Sequence, residues 1–319
     1  MDPNILSGPT PDDLYAATMA GRIRDELIRP DASPIPSDFS WSRSLRELVI
    51  DGLGTGLAGI EASESLFVNK TALKSVLGCE VLHQCDTGFE WSVDTAKGTI
   101  LNAAADLVIG GLDGSNNAIA AAAVTSASND PNGGASLAEW LNGLDEITRI
   151  ELVSEVASLI DALYDTWGSI EQSWNPRPGY AQSVTFTGPA FDVRVRGKAD
   201  LVVGPRGGRD RNQVIVDWKK GRLYPSHFDE VWLYALAQTI RTNIAPARIG
   251  VVSLTSEEMW SAEVDYVGLE IAAERLIDGV VRIRQLQLPD TVPVTKPGPP
   301  CGWCPLSDSC PDAFAHLTI

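Results

Sequence analysis

The sequence predicts an α/β fold in which a mixed central sheet is flanked by helices. Three observations lead there. Between residues 181 and 218 lie four short β-branched runs punctuated by Gly and Pro. The stretches on either side carry apolar residues at helical spacing. A lone apolar run, Ile249 to Leu254, then stands between two further helical patterns.

Residues 1–65 are expected to form an N-terminal helical extension. It holds a helix from about Pro11 to Ile28, a Pro/Ser linker at 30–38, and a helical pattern from Trp41 into a Gly-rich stretch at 52–59. Asn69 to Leu77 reads as a capped helix leading into Cys79, because an Asn side chain can accept from the free N–H groups of a first turn. Gly98 to Ile109 reads as a helix stopped by Gly110 and Gly111. A helical insert at about 112–175 follows, a helix and loop at 112–135 and then a helix from Leu137 to Trp174 with Leu152, Val156, Leu159, Ile160 and Leu163 on one stripe. Strands are expected at 183–186, 191–195, 199–203 and 214–218. A helix from Ser226 to Thr242, a strand from Ile249 to Leu254 and an amphipathic helix from Glu263 to Leu286 complete the core. A Pro-rich tether at 289–300 leads to a cysteine cluster.

With 319 residues, 44% hydrophobic and 21% charged, the chain is ordinary for a globular protein, which excludes a disordered chain, a coiled coil and a collagen-like fibre. Met1-Asp2-Pro3-Asn4 has no basic start and no apolar run after it, so no signal peptide is expected. The longest apolar stretch, around 103–124, is broken by Asp106 and Asp113, short of the ~20 residues a membrane span needs. A cytoplasmic location without membrane contact is expected. There, clustered cysteines point to metal binding rather than disulfides.

The net charge of −17 argues against nucleic acid until its distribution is read. From 194 to 222 nine basic residues face three acidic ones, so this segment carries +6 and the remaining chain −23. Arg194, Arg196, Lys198, Arg206, Arg209, Arg211, Lys220 and Arg222 are the candidate phosphate contacts. Trp218, Trp232 and Trp303 are placed either to stack on bases or to fill core, and His227 lies where it could meet a phosphate.

Inside the island stand Gly197-Lys198-Ala199-Asp200 and Val216-Asp217-Trp218-Lys219. Asp217 and Lys219 are two apart on a strand and so share a face. Carboxylates converging from adjacent strands suit Mg²⁺ or Mn²⁺, which prefer hard oxygen ligands, and a Trp218 backbone carbonyl would add another oxygen. Lys219 would orient a water and stabilise phosphoryl charge.

The order G-x-x-D, hairpin, apolar-D-x-K, then a helix with Glu230 and Tyr234 resembles the RecB-type branch of the PD-(D/E)XK nucleases. That resemblance implies a restriction-endonuclease-like core over 66–319. It implies a metal-dependent DNase acting on single-stranded DNA or DNA ends in repair, recombination or defence. Asp200, Asp217, Lys219, Glu230 and Tyr234 would be its catalytic residues. Three positions depart from the family. Asn102 stands where a metal-binding His is usual and would offer the ion its carbonyl oxygen as a weaker ligand, Gln182 stands where the first-strand acidic residue falls, and Glu230 replaces Gln. The alternative is therefore a catalytically weakened DNA-binding scaffold in a larger complex. A helicase or other protein partner would dock on the N-terminal extension or the insert.

Cys301, Cys304 and Cys310 form C-x₂-C-x₅-C, which suits zinc or an iron–sulfur cluster and leaves one ligand to Cys79 or Cys85. The layout resembles the iron–sulfur subset of RecB-type nucleases, including the AddB nuclease domain and nucleases of CRISPR adaptation. The resemblance implies a [4Fe–4S] cluster on Cys79, Cys301, Cys304 and Cys310, with Cys85 spare.

Overall fold

The structure is a computed structural model that describes residues 18–60, 65–85, 90–129, 135–168, 170–205 and 209–317. Helix α1 (Met19–Arg22), capped by Thr18, runs on as a wider π-helical turn, Ile23–Ile28, which Arg29 ends in the left-handed conformation. The expected helix before residue 18 lies outside the described residues. Strand β1 (Ile35–Pro36) precedes α2 (Ser40–Gly56). The latter buries Leu45, Val49 and Leu53, one residue per helical turn, so this part of the expected extension packs into the main core.

Strand β2 (Leu66–Asn69) runs straight into α3 (Lys70–Gly78), whose first turn is closed by Asn69 Oδ1 accepting from the Ala72 N–H at 2.8 Å. After Cys79 comes α4 (Glu80–Gln84), then α5 (Val93–Ile109), which starts at a Ser92 cap rather than at Gly98. The insert contains α6 (Asn116–Ser128), α7 (Ala135–Asn142) and α8 (Glu146–Trp167). The helix expected over 137–174 is split because Asp145 starts a new one, its carboxylate taking the Thr148 N–H at 2.9 Å.

Strands β3 (Arg177–Gly188) and β4 (Phe191–Val203) form a long hairpin, and β4 joins two expected strands across Gly197. Then follow β5 (Asp210–Arg211), paired with β1, and β6 (Val214–Lys219). Helix α9 (Pro225–Thr242) opens on Pro225, whose missing N–H costs nothing in a first turn. Next come β7 (Arg248–Ser253), β8 (Met259–Glu263), α10 (Tyr266–Leu286) and α11 (Pro311–Leu317). Strand β8 occupies Glu263, where a helix was expected to start, because Asp265 supplies the cap of α10.

The main sheet has the order β2-β4-β6-β7-β8, with β3 on the other edge of β4. Pairings β2–β4 and β6–β7 are parallel and the rest antiparallel, so the sheet is mixed. Alternate residues serve its two faces: Ile215, Ile249 and Val251 join the cluster with α2, α9 and α10, while Val214, Val216 and Val252 join the one with α5, α6 and α8. No helix among the described residues is long and apolar enough to cross a membrane.

Candidate active site

Strand β4 makes the site. One edge pairs with β3 along its length. The other edge is shared between β2, which ends at Asn69↔Arg196, and β6, whose ladder stops at Leu201↔Val216. Between them, on this second edge, residues 197–200 pair with no strand among the described residues. Lys70 begins α3 at one side of this notch and Asp217 continues β6 at the other.

Asp200 is held by two hydrogen bonds. Its Oδ2 accepts the Trp218 backbone N–H at 2.9 Å and its Oδ1 accepts the Asn102 amide at 3.0 Å. The Asn102 carbonyl in turn accepts Trp218 Nε1 at 2.8 Å. Burial and the neighbouring Asp217 charge push the Asp200 carboxyl up to about 8, against Lys70, Lys219 and the Trp218 N–H.

Asp217 is wholly buried, and among the described residues neither oxygen finds an aligned hydrogen-bond donor. Among the described residues its ion-pair partners are two ammonium groups, Lys219 Nζ at 2.5 Å from Oδ2 and Lys70 Nζ at 3.7 Å from Oδ1. Both lysines also reach Glu230 Oε2, at 2.9 and 3.2 Å, while Lys74 lies 3.7 Å from its Oε1. Burial works against the charge on Glu230, but Lys219, Lys70 and Lys74 hold it down at about 2. Burial likewise opposes the charge on Lys219 and Lys70, yet Asp217 and Glu230 raise both above the ordinary lysine value.

Tyr234 packs against the glycine of G-x-x-D: a Cβ at Gly197 would sit 2.4 Å from its ring. Its hydroxyl is buried and has no hydrogen-bond partner among the described residues. Burial and the Asp217 and Glu230 charges raise its pKa. Gln182, opposite Gly197 in the hairpin, is 1% exposed and donates to Gln238 at 3.2 Å.

Residues 71–311 match the PD-(D/E)XK nuclease superfamily. The chain belongs to that superfamily. No curated protein matches it. Among solved structures it is similar to a protein called SSO0001, at 12% identity and a TM-score of 0.35, over 83% of this chain and 94% of that one. It is also similar to a candidate exonuclease of Eubacterium rectale, at 13% identity and a TM-score of 0.44, over 76% of this chain and 86% of that one. Neither likeness carries an argument by itself.

PD-(D/E)XK nucleases typically use Mg²⁺ or Mn²⁺. The donor set here fits such an ion: two carboxylates meet in one notch, and one of them lacks any aligned donor. Among the described residues no three His, Cys, Asp or Glu side chains are grouped to hold a metal. The remaining ligands would be waters, backbone and substrate, as suits Mg²⁺. The Asn102 carbonyl oxygen, the weaker ligand expected at the place of the family's His, accepts the Trp218 indole N–H in this structure.

Sequence reasoning missed Lys70 and Lys74. They stand one turn apart on the face of α3 turned to Glu230, and the only local signal was the i, i+4 spacing after the Asn69 cap.

The basic residues divide. Arg196, Lys198, Arg209 and Arg222 are exposed, Arg194 lies over the Phe67 ring at 5.3 Å, and Lys220 donates to the Asp94 carbonyl at 3.1 Å. Arg211 is corrected: it is 7% exposed and donates to the Pro246 and Val264 carbonyls, locking β5 in place. Arg206 and the Trp303 side chain lie outside the described residues. Trp218 is buried edge-on to Trp167, so it belongs to the core. His227 is buried as well, its Nδ1 accepting the Tyr224 N–H at 3.2 Å.

The expected four-cysteine centre is not assembled. All five cysteines are free, and among the described residues no three of them are grouped to hold a metal. Cys301 Sγ accepts the Gly298 N–H of its own turn at 3.4 Å. The chain end does dock beside Cys79: the Glu80 N–H donates to the Val294 carbonyl at 3.1 Å, and Lys296 Nζ to the Leu77 carbonyl at 3.4 Å.

Proposed function

We propose that this nuclease is a metal-dependent DNase that hydrolyses phosphodiester bonds of single-stranded DNA or DNA ends, in repair, recombination or defence. The observation that carries the reading is Asp217, wholly buried without an aligned hydrogen bond and facing Asp200 across one notch. Asp200 and Asp217 would hold Mg²⁺ or Mn²⁺, with the Trp218 backbone carbonyl as a further oxygen. A bound cation there supplies Lewis-acid polarisation of the phosphoryl oxygen and a more acidic water.

The protein groups do the rest. Lys219 orients the water and stabilises charge on the phosphoryl oxygens, and Glu230 aims its ammonium from 2.9 Å. Lys70 offsets the charge buried with Asp217 and Glu230. Tyr234 backs β4 through Gly197. Arg194, Arg196, Lys198, Arg209, Lys220 and Arg222 line the approach of the DNA backbone. A helicase or other partner would dock on the N-terminal extension or the insert, where Ile147 and Ile150 are exposed.

The Asn102–Trp218 bond favours a second reading, a DNA-binding scaffold with weakened chemistry. Cleavage of single-stranded and duplex DNA with Mg²⁺ or Mn²⁺, by wild type, Asp217→Ala and Lys219→Ala, decides between them. Metal-dependent cleavage lost in both variants supports the enzyme. Equal background from all three proteins overturns it in favour of the scaffold.

An iron–sulfur clip on Cys79, Cys301, Cys304 and Cys310 rests on the C-x₂-C-x₅-C spacing, and no catalytic step runs through it. Metal analysis and an absorption spectrum of anaerobically purified protein test it: bound iron and sulfide support the clip, and their absence removes it.

A further inference from the structure

A cavity of about 660 Å³ opens beside the notch, between α3, α9, α10 and the tether at 296–300. Lys70 and Glu230, paired at 3.2 Å, stand at the border of cavity and notch, so the two spaces adjoin. Leu73, Leu77, Leu233 and Leu276 make its walls apolar, and Tyr224, Phe228 and Trp232 give it aromatic faces. Phe228 stands edge-on to Trp232 with ring centroids 6.4 Å apart.

Its charges are cationic on balance. Lys70, Lys74, Arg275 and Lys296 line it, against Asp229 and Glu230. Arg275 is paired with Asp229 at 2.6 Å, whereas Lys296 has no carboxylate partner among the described residues and donates only to a carbonyl. Apolar walls, aromatic faces and surplus lysines form a combination that accepts bases by stacking and phosphates by charge. The volume is that of a site for a small organic molecule, and a duplex is far too wide for it.

We propose that this chamber seats the unpaired terminal nucleotides of a DNA strand whose next phosphate lies in the notch. Bases stack against Phe228 and Trp232, and Lys74 and Lys296 take the phosphates. The inference rests on the nuclease reading and adds to it where the strand end lies.

The test uses wild-type protein in EDTA with an oligothymidylate carrying 5-iododeoxyuridine at its 5′ or its 3′ end. Photocrosslinking followed by peptide mapping should place the adduct within 224–232 for one of the two ends. Ile271→Trp, at the chamber's rim, should weaken binding of the same oligonucleotide about fivefold or more. Adducts only elsewhere, or none above a competitor control, overturn the chamber. Mn²⁺-dependent hydrolysis of bis(4-nitrophenyl) phosphate by wild type, too small to need the chamber, reports separately on the nuclease. If that hydrolysis and DNA cleavage both fail, the nuclease reading falls. An adduct at 224–232 would then still support a strand-end site, and its absence would still overturn it.

Discussion

Trp218 donates its backbone N–H to Asp200 Oδ2 at 2.9 Å, just beyond the last ladder pair, Leu201↔Val216. That bond ties the carboxylate of β4 to the strand carrying Asp217. Asn102 closes the arrangement from α5 by bonding both partners.

Asn102→Ala should therefore act on stability and metal affinity together. It leaves Trp218 Nε1 and Asp200 Oδ1 without their partner, at a cost of about 1–3 kcal/mol in urea unfolding. Loss of a group that orients a ligand should also weaken Mn²⁺ binding roughly 10- to 100-fold, read by titration.

Asp200 gives the metal-free protein a pH dependence of known sign. Its carboxyl titrates near 8 when folded and near 3.8 when free, so between those values the folded state holds a proton that the unfolded state has lost. Stability therefore falls as pH rises through that window, and Asp200→Asn removes the fall. His227, lowered to about 4 chiefly by burial, pulls the opposite way between 4 and 6.5 but does so in both proteins. Urea midpoints in EDTA at pH 5 and pH 8 should show the variant gaining on wild type at the higher pH.

Gly197→Ala should destabilise by about 1–3 kcal/mol, because its Cβ meets the Tyr234 ring at 2.4 Å. Tyr234→Phe should leave the denaturation midpoint unchanged or higher, since the hydroxyl it deletes is buried and unpartnered. A drop in cleavage without a drop in midpoint would assign that hydroxyl to the substrate.

These residues also show what the sequence could reveal. Asp200, Asp217 and Lys219 were legible because strand periodicity is local: two residues on one strand end share a face. The Asn69 cap was legible for the same reason. Lys70 was not, because it reaches the site only through the parallel pairing of β2 with β4, between residues far apart in sequence. Strand β2, four residues long, gives too short an alternation to read. Arg211 misled because a guanidinium serving buried carbonyls has the same sequence signature as one awaiting a phosphate.

Glu80→Ala should release the chain end. The Arg282 guanidinium donates twice to Glu80 at 2.6 Å and holds its carboxyl below the usual range, and Glu80 Oε2 also accepts the Val294 N–H at 2.7 Å. Without that clamp, limited proteolysis should cut faster within 289–300 while β4 and β6 stay protected.

The proposed chemistry depends on Asp200 and Asp217 forming a divalent-cation seat. Anomalous scattering from crystals soaked in Mn²⁺ measures this without reference to turnover. A single strong peak should lie between the two carboxylates in wild type and vanish in Asp217→Ala. A peak elsewhere with the notch empty, or one that persists in the variant, would contradict it.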